Sequence, residues 1–280
     1  MKPRIFSSLA AGFFAAILLV TPLRTVAQSA AKGNSKGKNP DGPGGVIAVN
    51  GVRDENLPTP PAGSAPRAAN GKPSLSGVWL SGNYNFANMG GALPLQPWAQ
   101  KLMEERQATQ SRDDPEAKCL PAGVPRITPY PFKIVQTPEV IVMLFEGNVH
   151  SFRQFFIDRA HDKDLDPSWM GESTATWQSD TLVVDTVNFN DKTWLNGRGA
   201  PHSEKLHVTE RYSRPDLGHL DVEITMEDPG AFTKPHTFKR THVLSATWEI
   251  HEYVCNEFNV DVDRLVGSSE LPRVTSGACS

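Results

Sequence analysis

The sequence predicts a mainly β domain, an antiparallel meander closed into a barrel, with one helix and a long irregular segment in front. Three observations carry that prediction. Apolar and polar residues alternate along runs after residue 130, as in Leu220-Asp221-Val222-Glu223-Ile224-Thr225-Met226, so one face of each run is buried and the other wet. Turn clusters such as Arg214-Pro215-Asp216-Leu217-Gly218 and Glu227-Asp228-Pro229-Gly230 separate the runs at short intervals. A single stretch, 97–108, shows helical spacing.

Taken in order, residues 1–27 hold Lys2, Arg4 and Arg24, no acid, and an apolar run over 9–20. That run is shorter than the roughly 20 residues a bilayer crossing needs. With Thr25-Val26-Ala27 behind Pro22 it reads as a secretory signal cut near Ala27. The expectation is a periplasmic or extracellular protein with no membrane insertion after signal cleavage. Residues 28–72 contain eight Gly, six Pro and no aromatic residue. Such a stretch buries too little surface to offset its ordering entropy, so a disordered tether is expected.

The single domain then spans 73–280. Within it, Pro97 opens the helix, and Trp98, Ala99, Leu102 and Met103 give it an apolar side that would cover the sheet or plug one barrel end. Strands are predicted at 132–137 and 140–145 around Pro138, at 151–157, and at 173–177 and 182–187 around Ser179-Asp180. Further strands follow at 204–212, 220–226, 237–244 and 248–255.

The whole chain carries −3, but residues 73–280 hold 19 basic and 28 acidic side chains, or −9. That sign opposes nucleic acid and an anionic membrane surface as partners. Three cysteines in an exported chain suggest one disulfide and one spare thiol. Cys119 with Cys255 is the preferred pair, tying an irregular loop to the sheet, and Cys255 with Cys279 is its rival. No pair has C-x-x-C spacing, so a structural zinc site is not supported.

Polar residues at apolar-phase positions are the most informative feature. Glu210 precedes Tyr212 in the phase of Leu206 and Val208. Glu252 stands in the phase of Trp248 and Val254, and Arg240 and His242 stand between Phe238 and Leu244. With Glu204, Arg153 and His150 they could form one polar cluster in an apolar cavity. Buried carboxylates need cationic partners, so an ion-pair network that fixes strand register is the competing reading. The spacing His202-x-Glu204-x-x-His207 invites a metal, but on a strand residue 207 points away from 202 and 204, and no metal is assigned. Asp185, Asn188, Asn190 and Asp191 lack calcium-loop spacing. There is no G-x-G-x-x-G, no P-loop and no G-x-S-x-G elbow, so no cofactor is implied.

Leu75-Ser76-Gly77-Val78-Trp79, Asp180-Thr181-Leu182-Val183-Val184-Asp185-Thr186, Asn190-Asp191, Thr193-Trp194-Leu195 and the run from Pro201 to Tyr212 resemble a widespread group of secreted bacterial proteins. Glu252, Cys255 and Asn259 extend the likeness over most of 72–260. Ser179 stands where a glycine is expected. This resemblance implies no particular activity. Gly77-Val78-Trp79 also resembles the Gly-x-Trp opening of lipocalin-like barrels. That likeness implies a cup for small, largely apolar ligands, one end closed by Trp79 under an arginine such as Arg240 or Arg153.

Two functions follow. In the first, the barrel is a cofactor-independent acid–base enzyme of lyase, isomerase or hydrolase type acting on a small hydrophobic molecule. Glu252 or Glu204 is then the base, His202 or His242 the acid, and Arg153 or Arg240 the clamp on oxyanion charge. In the second, the barrel only binds or carries such a molecule. Arg240, His150, Glu210, Tyr212, Trp194 and Trp79 are the expected ligand contacts.

Overall fold

Nine strands close into one ring in the computed structural model, which describes residues 57–81, 89–149 and 151–255. The segment expected to be a signal (1–27), most of the segment expected to be a tether (28–72) and His150 lie outside the described residues. The strands are β1 (Gly77–Ser81), β2 (Phe132–Gln136), β3 (Val140–Phe145), β4 (Phe152–Ile157), β5 (Glu172–Gln178), β6 (Thr181–Val187), β7 (His207–Ser213), β8 (His219–Glu227) and β9 (His236–Ser245). They follow one another around the barrel in chain order, and β1 closes on β9. Helix α1 (Pro97–Ala108) lies between β1 and β2, with Pro at its start as predicted.

One pairing departs from the meander: β4 and β5 run parallel. Ring parity requires it. Nine strands cannot alternate direction all the way around, so at least one neighbour pair must be parallel. The connection 158–171 therefore travels the length of the wall outside the barrel before β5 begins.

The predicted strand at 248–255 is absent. Pairing of β1 with β9 leaves no free edge for a further strand. This segment is held by side chains instead. Glu146 accepts from Trp248 Nε1 at 3.0 Å and from the His251 backbone at 3.2 Å, and Lys133 meets Glu249 at 2.6 Å. Cys255 then bonds Cys119, as expected, although it sits beyond the sheet.

The two barrel ends differ. Short turns at 137–139, 179–180 and 214–218 lie at one end with the start of β1 and the end of β9. Trp79 fills this end completely buried, its Nε1 donating to Leu75 O at 2.9 Å. Arg214, from the β7–β8 turn, stacks 4.8 Å above the ring and donates to Ser74 O, Ser76 O, Asp216 O and Leu217 O. The arginine over Trp79 is thus Arg214, and neither Arg240 nor Arg153. Glycine is favoured at 77, because its φ is +147° and a Cβ would press within 2.5 Å of Leu244 Cδ1.

Residues 57–72 correct the tether expectation, since they pack against these short turns. Arg67 grips Asp180 with two bonds of 2.7 Å, and Leu217 N donates to Gly63 O. Prolines at 58, 60, 61 and 66 leave this piece little freedom to lose. The opposite end carries the long connections 188–206 and 228–235 and helix α1. Trp98 and Arg106 of α1 donate to Gly230 O and Gly199 O, which ties the helix to both.

Candidate functional site

The inner face collects every second residue of each strand. Most are fully buried apolar groups, among them Ile134, Met143, Phe155, Val184, Leu220 and Ile224. Arg153 on β4 and Glu210 on β7 interrupt them. Arg153 Nη1 and Nη2 donate to the two Glu210 oxygens at 3.0 and 2.5 Å, and both side chains are essentially without solvent contact. Nη2 also reaches Ser173 Oγ and Thr186 Oγ1, which bond each other at 2.9 Å. Tyr212 OH donates to Glu210 Oε1 at 2.9 Å. Burial works against the Arg153 charge, yet the Glu210 carboxylate outweighs it and holds the guanidinium above its usual range. Burial, then the same carboxylate, push the Tyr212 phenol well above its usual value. Glu210 is thus held on both oxygens by Arg153 and on one by Tyr212, while Arg153 Nε stays buried without a hydrogen-bond partner among the described residues.

A second polar pair lies on β9. Arg240 and His242 face inward, opposite Val222 and Leu220 of β8, and His242 also lies across from Ser81 of β1. Burial lowers Arg240 to about 10. Burial, and secondarily the Arg240 charge, lower His242 to about 3, so its imidazole is neutral at physiological pH. The ring packs edge-on against Phe132 at 4.9 Å. Its Nδ1 is buried without a hydrogen-bond partner among the described residues. Strand β9 extends past the end of β1, and Met89 and Gly90 return to it at His236 and Phe238.

The remaining predicted residues scatter. Glu252 is exposed and lies in no strand, because the segment expected to carry it never joins the sheet. Glu204 is exposed in the turn before β7. His202 is buried outside the strands: its Nδ1 donates to Ser203 O at 3.0 Å and its Nε2 accepts from Thr193 Oγ1 at 2.7 Å. Burial lowers its pKa, so it is a neutral loop staple. These three do not share a cavity with Arg153. Trp194 is buried under the guanidinium of Arg106, 4.7 Å above its ring, and is occupied by that contact. His207 faces the outer wall, and no three His, Cys, Asp or Glu side chains are placed to hold a metal ion among the described residues.

The partners of these groups are less legible in the sequence than the groups themselves. Ser173 and Thr186 sit at inward phases of predicted strands, so their phase is a usable signal. Arg126 has no such signal. In the loop before β2 it binds Asp114 at 2.7 and 2.8 Å and Glu116 at 2.5 Å, while Tyr130 and Asn148 donate to Glu116. This buried network anchors the loop that holds Cys119. No protein-family profile, curated protein or solved structure matches the chain. The inner face offers an apolar wall, one closed end, and a cation beside a neutral imidazole on β9.

Proposed function

We propose that this protein is an exported, non-catalytic small-molecule carrier that binds an apolar molecule with an anionic head inside the barrel. One observation carries the reading: His242, fully buried on β9 beside Arg240, keeps a ring nitrogen without a hydrogen-bond partner among the described residues. Buried polar atoms are rarely left so, and a bound group is one way to complete them. A carboxylate or similar head would take charge from Arg240 and a hydrogen bond from His242. The apolar body would lie against Phe132, Val222 and Ile224. Entry from the long-loop end fits, because Trp79 and Arg214 occupy the other. The disulfide is compatible with export, and no described helix is long and apolar enough to cross a membrane.

The enzyme reading has less support. It needs a base facing the ligand, but Glu252 and Glu204 are exposed and Glu210 is held by Arg153 and Tyr212. The test is a titration with decanoate and decanol, each followed by displacement of a fluorescent naphthalene sulfonate. Decanoate should displace the probe and decanol should do so at least about tenfold more weakly, the scale of one charged hydrogen bond. Arg240→Met should remove that preference. Equal displacement by the two compounds would contradict the reading. Conversion of compounds from a metabolite extract into products under mass spectrometry would restore the enzyme.

A further inference from the structure

A line of alternating carboxylates and imidazoles crosses the outside of the barrel, independent of the interior. Glu172, Asp185, His207 and Glu227 project from β5, β6, β7 and β8, and His161 joins them from the wall-spanning connection 158–171. His161 Nδ1 lies 3.1 Å from Glu172 Oε2, and its Nε2 lies 3.2 Å from Asp185 Oδ2. His207 Nε2 contacts the other Asp185 oxygen, and its Nδ1 lies 3.5 Å from Glu227 Oε2. Each imidazole therefore turns both nitrogens toward carboxylates.

A neutral imidazole has one N–H and one lone pair, so one of its two contacts would set a lone pair against a carboxylate oxygen. Only the imidazolium donates to both. The local charge agrees. Glu172, Asp185 and Glu227 bring three negative charges, and Arg159 brings one positive charge through its 2.9 Å bond to Glu172. Two imidazolium rings complete neutrality, whereas two neutral rings leave −2. Thr174 Oγ1, 3.4 Å from His161 Nε2, also faces the cluster and carries no charge.

We propose that this cluster is a proton-operated clamp on the connection 158–171, closed when His161 and His207 are charged and released when they are neutral. Both rings are part-exposed, so solvent protons reach them. An ordinary histidine side chain changes charge between about pH 5 and 8, above the range in which ordinary carboxylic acids do. Release would act on the long-loop end, because the same connection is bonded to the chain leaving β6. Ser168 N donates to Asn188 O, Asn190 N to Ser168 O, and Asn188 Nδ2 to Leu165 O.

Amide hydrogen exchange of residues 158–168, corrected for intrinsic rates, tests the clamp at pH 5.5 and pH 8. Protection should fall by about tenfold or more at the higher pH, the scale of one charged hydrogen bond. Imidazole ¹⁵N shifts of His161 and His207 should show both nitrogens protonated only at the lower pH. A His161→Gln variant, checked for intact β-sheet dichroism, should be weakly protected at both. Should that variant fail to fold, the wild-type exchange and ¹⁵N shifts still decide. Equal wild-type protection at the two pH values, or an unchanged pH dependence in His161→Gln, would overturn the proposal. So would a stoichiometric zinc complex that restores protection at pH 8, since the nitrogens would then serve a metal.

Discussion

Arg153 of β4 holds both carboxylate oxygens of Glu210 on β7 across the barrel interior, and neither side chain reaches solvent. Removing one partner leaves the other charge buried. Arg153→Met should therefore destabilise the fold by about 3–5 kcal/mol. The double variant Arg153→Met/Glu210→Leu should recover most of that loss, because no charge is stranded. Urea unfolding of both variants checks the pair. A single variant as stable as wild type would mean the pair does not hold these strands.

Arg214 closes the short-turn end by covering Trp79 and donating to four backbone carbonyls. Arg214→Ala should cost about 2–3 kcal/mol, from the lost cation–π contact and the carbonyls left without their donor. Thermal unfolding reads the loss. Near-ultraviolet dichroism of Trp79 should weaken with it.

Cys119 and Cys255 join segments 136 residues apart, one in the loop before β2 and one beyond β9. Reduction, or Cys119→Ser, should lower stability by about 2–4 kcal/mol. The effect on exchange should concentrate at 109–122 and 246–255 and spare β5 to β8. Mapping by exchange and mass spectrometry distinguishes this from a uniform loss.

His242 sets an acid limb. Its folded pKa, about 3, lies below the ordinary value near 6.5 expected in the unfolded chain. Between those values the unfolded chain binds the additional proton, so stability rises with pH across that window and falls as pH drops through it. Burial lowers the His202 pKa in the same direction. His242→Gln should flatten the stability profile between pH 6.5 and 3 by a few kcal/mol, at about 1.4 kcal/mol for each pH unit that separates the folded and unfolded values. Denaturant midpoints measured at several pH values check it, and parallel wild-type and variant profiles would refute it.

Much of the barrel is legible because a strand writes its two faces into alternate letters. The runs that form β2 to β9 are readable in that way, and the helix at 97–108 from its opening proline and helical spacing. The inward placement of Glu210, Tyr212, Arg240 and His242 follows from the same phase. Glu252 shows where alternation stops being sufficient. Its run alternates like a strand, yet a closed ring has no edge to accept it. Local pattern reports what a segment could do, and hydrogen-bond partners decide whether it does.

The pattern along the chain set the fold class, the boundaries of β2 to β9 within a few residues, the preferred cysteine pair and the inward turn of Glu210, Tyr212, Arg240 and His242. Those depend on neighbours along the chain, or on residue types that must be compensated wherever they go. Tertiary structure alone decided that Arg153 is spent on Glu210, that Arg214 covers Trp79, and that β4 and β5 run parallel. It also placed His161, Asp185 and His207 in one line on the outer wall. Each of these depends on which strands close on which, a choice made by packing across the ring between residues far apart in the chain.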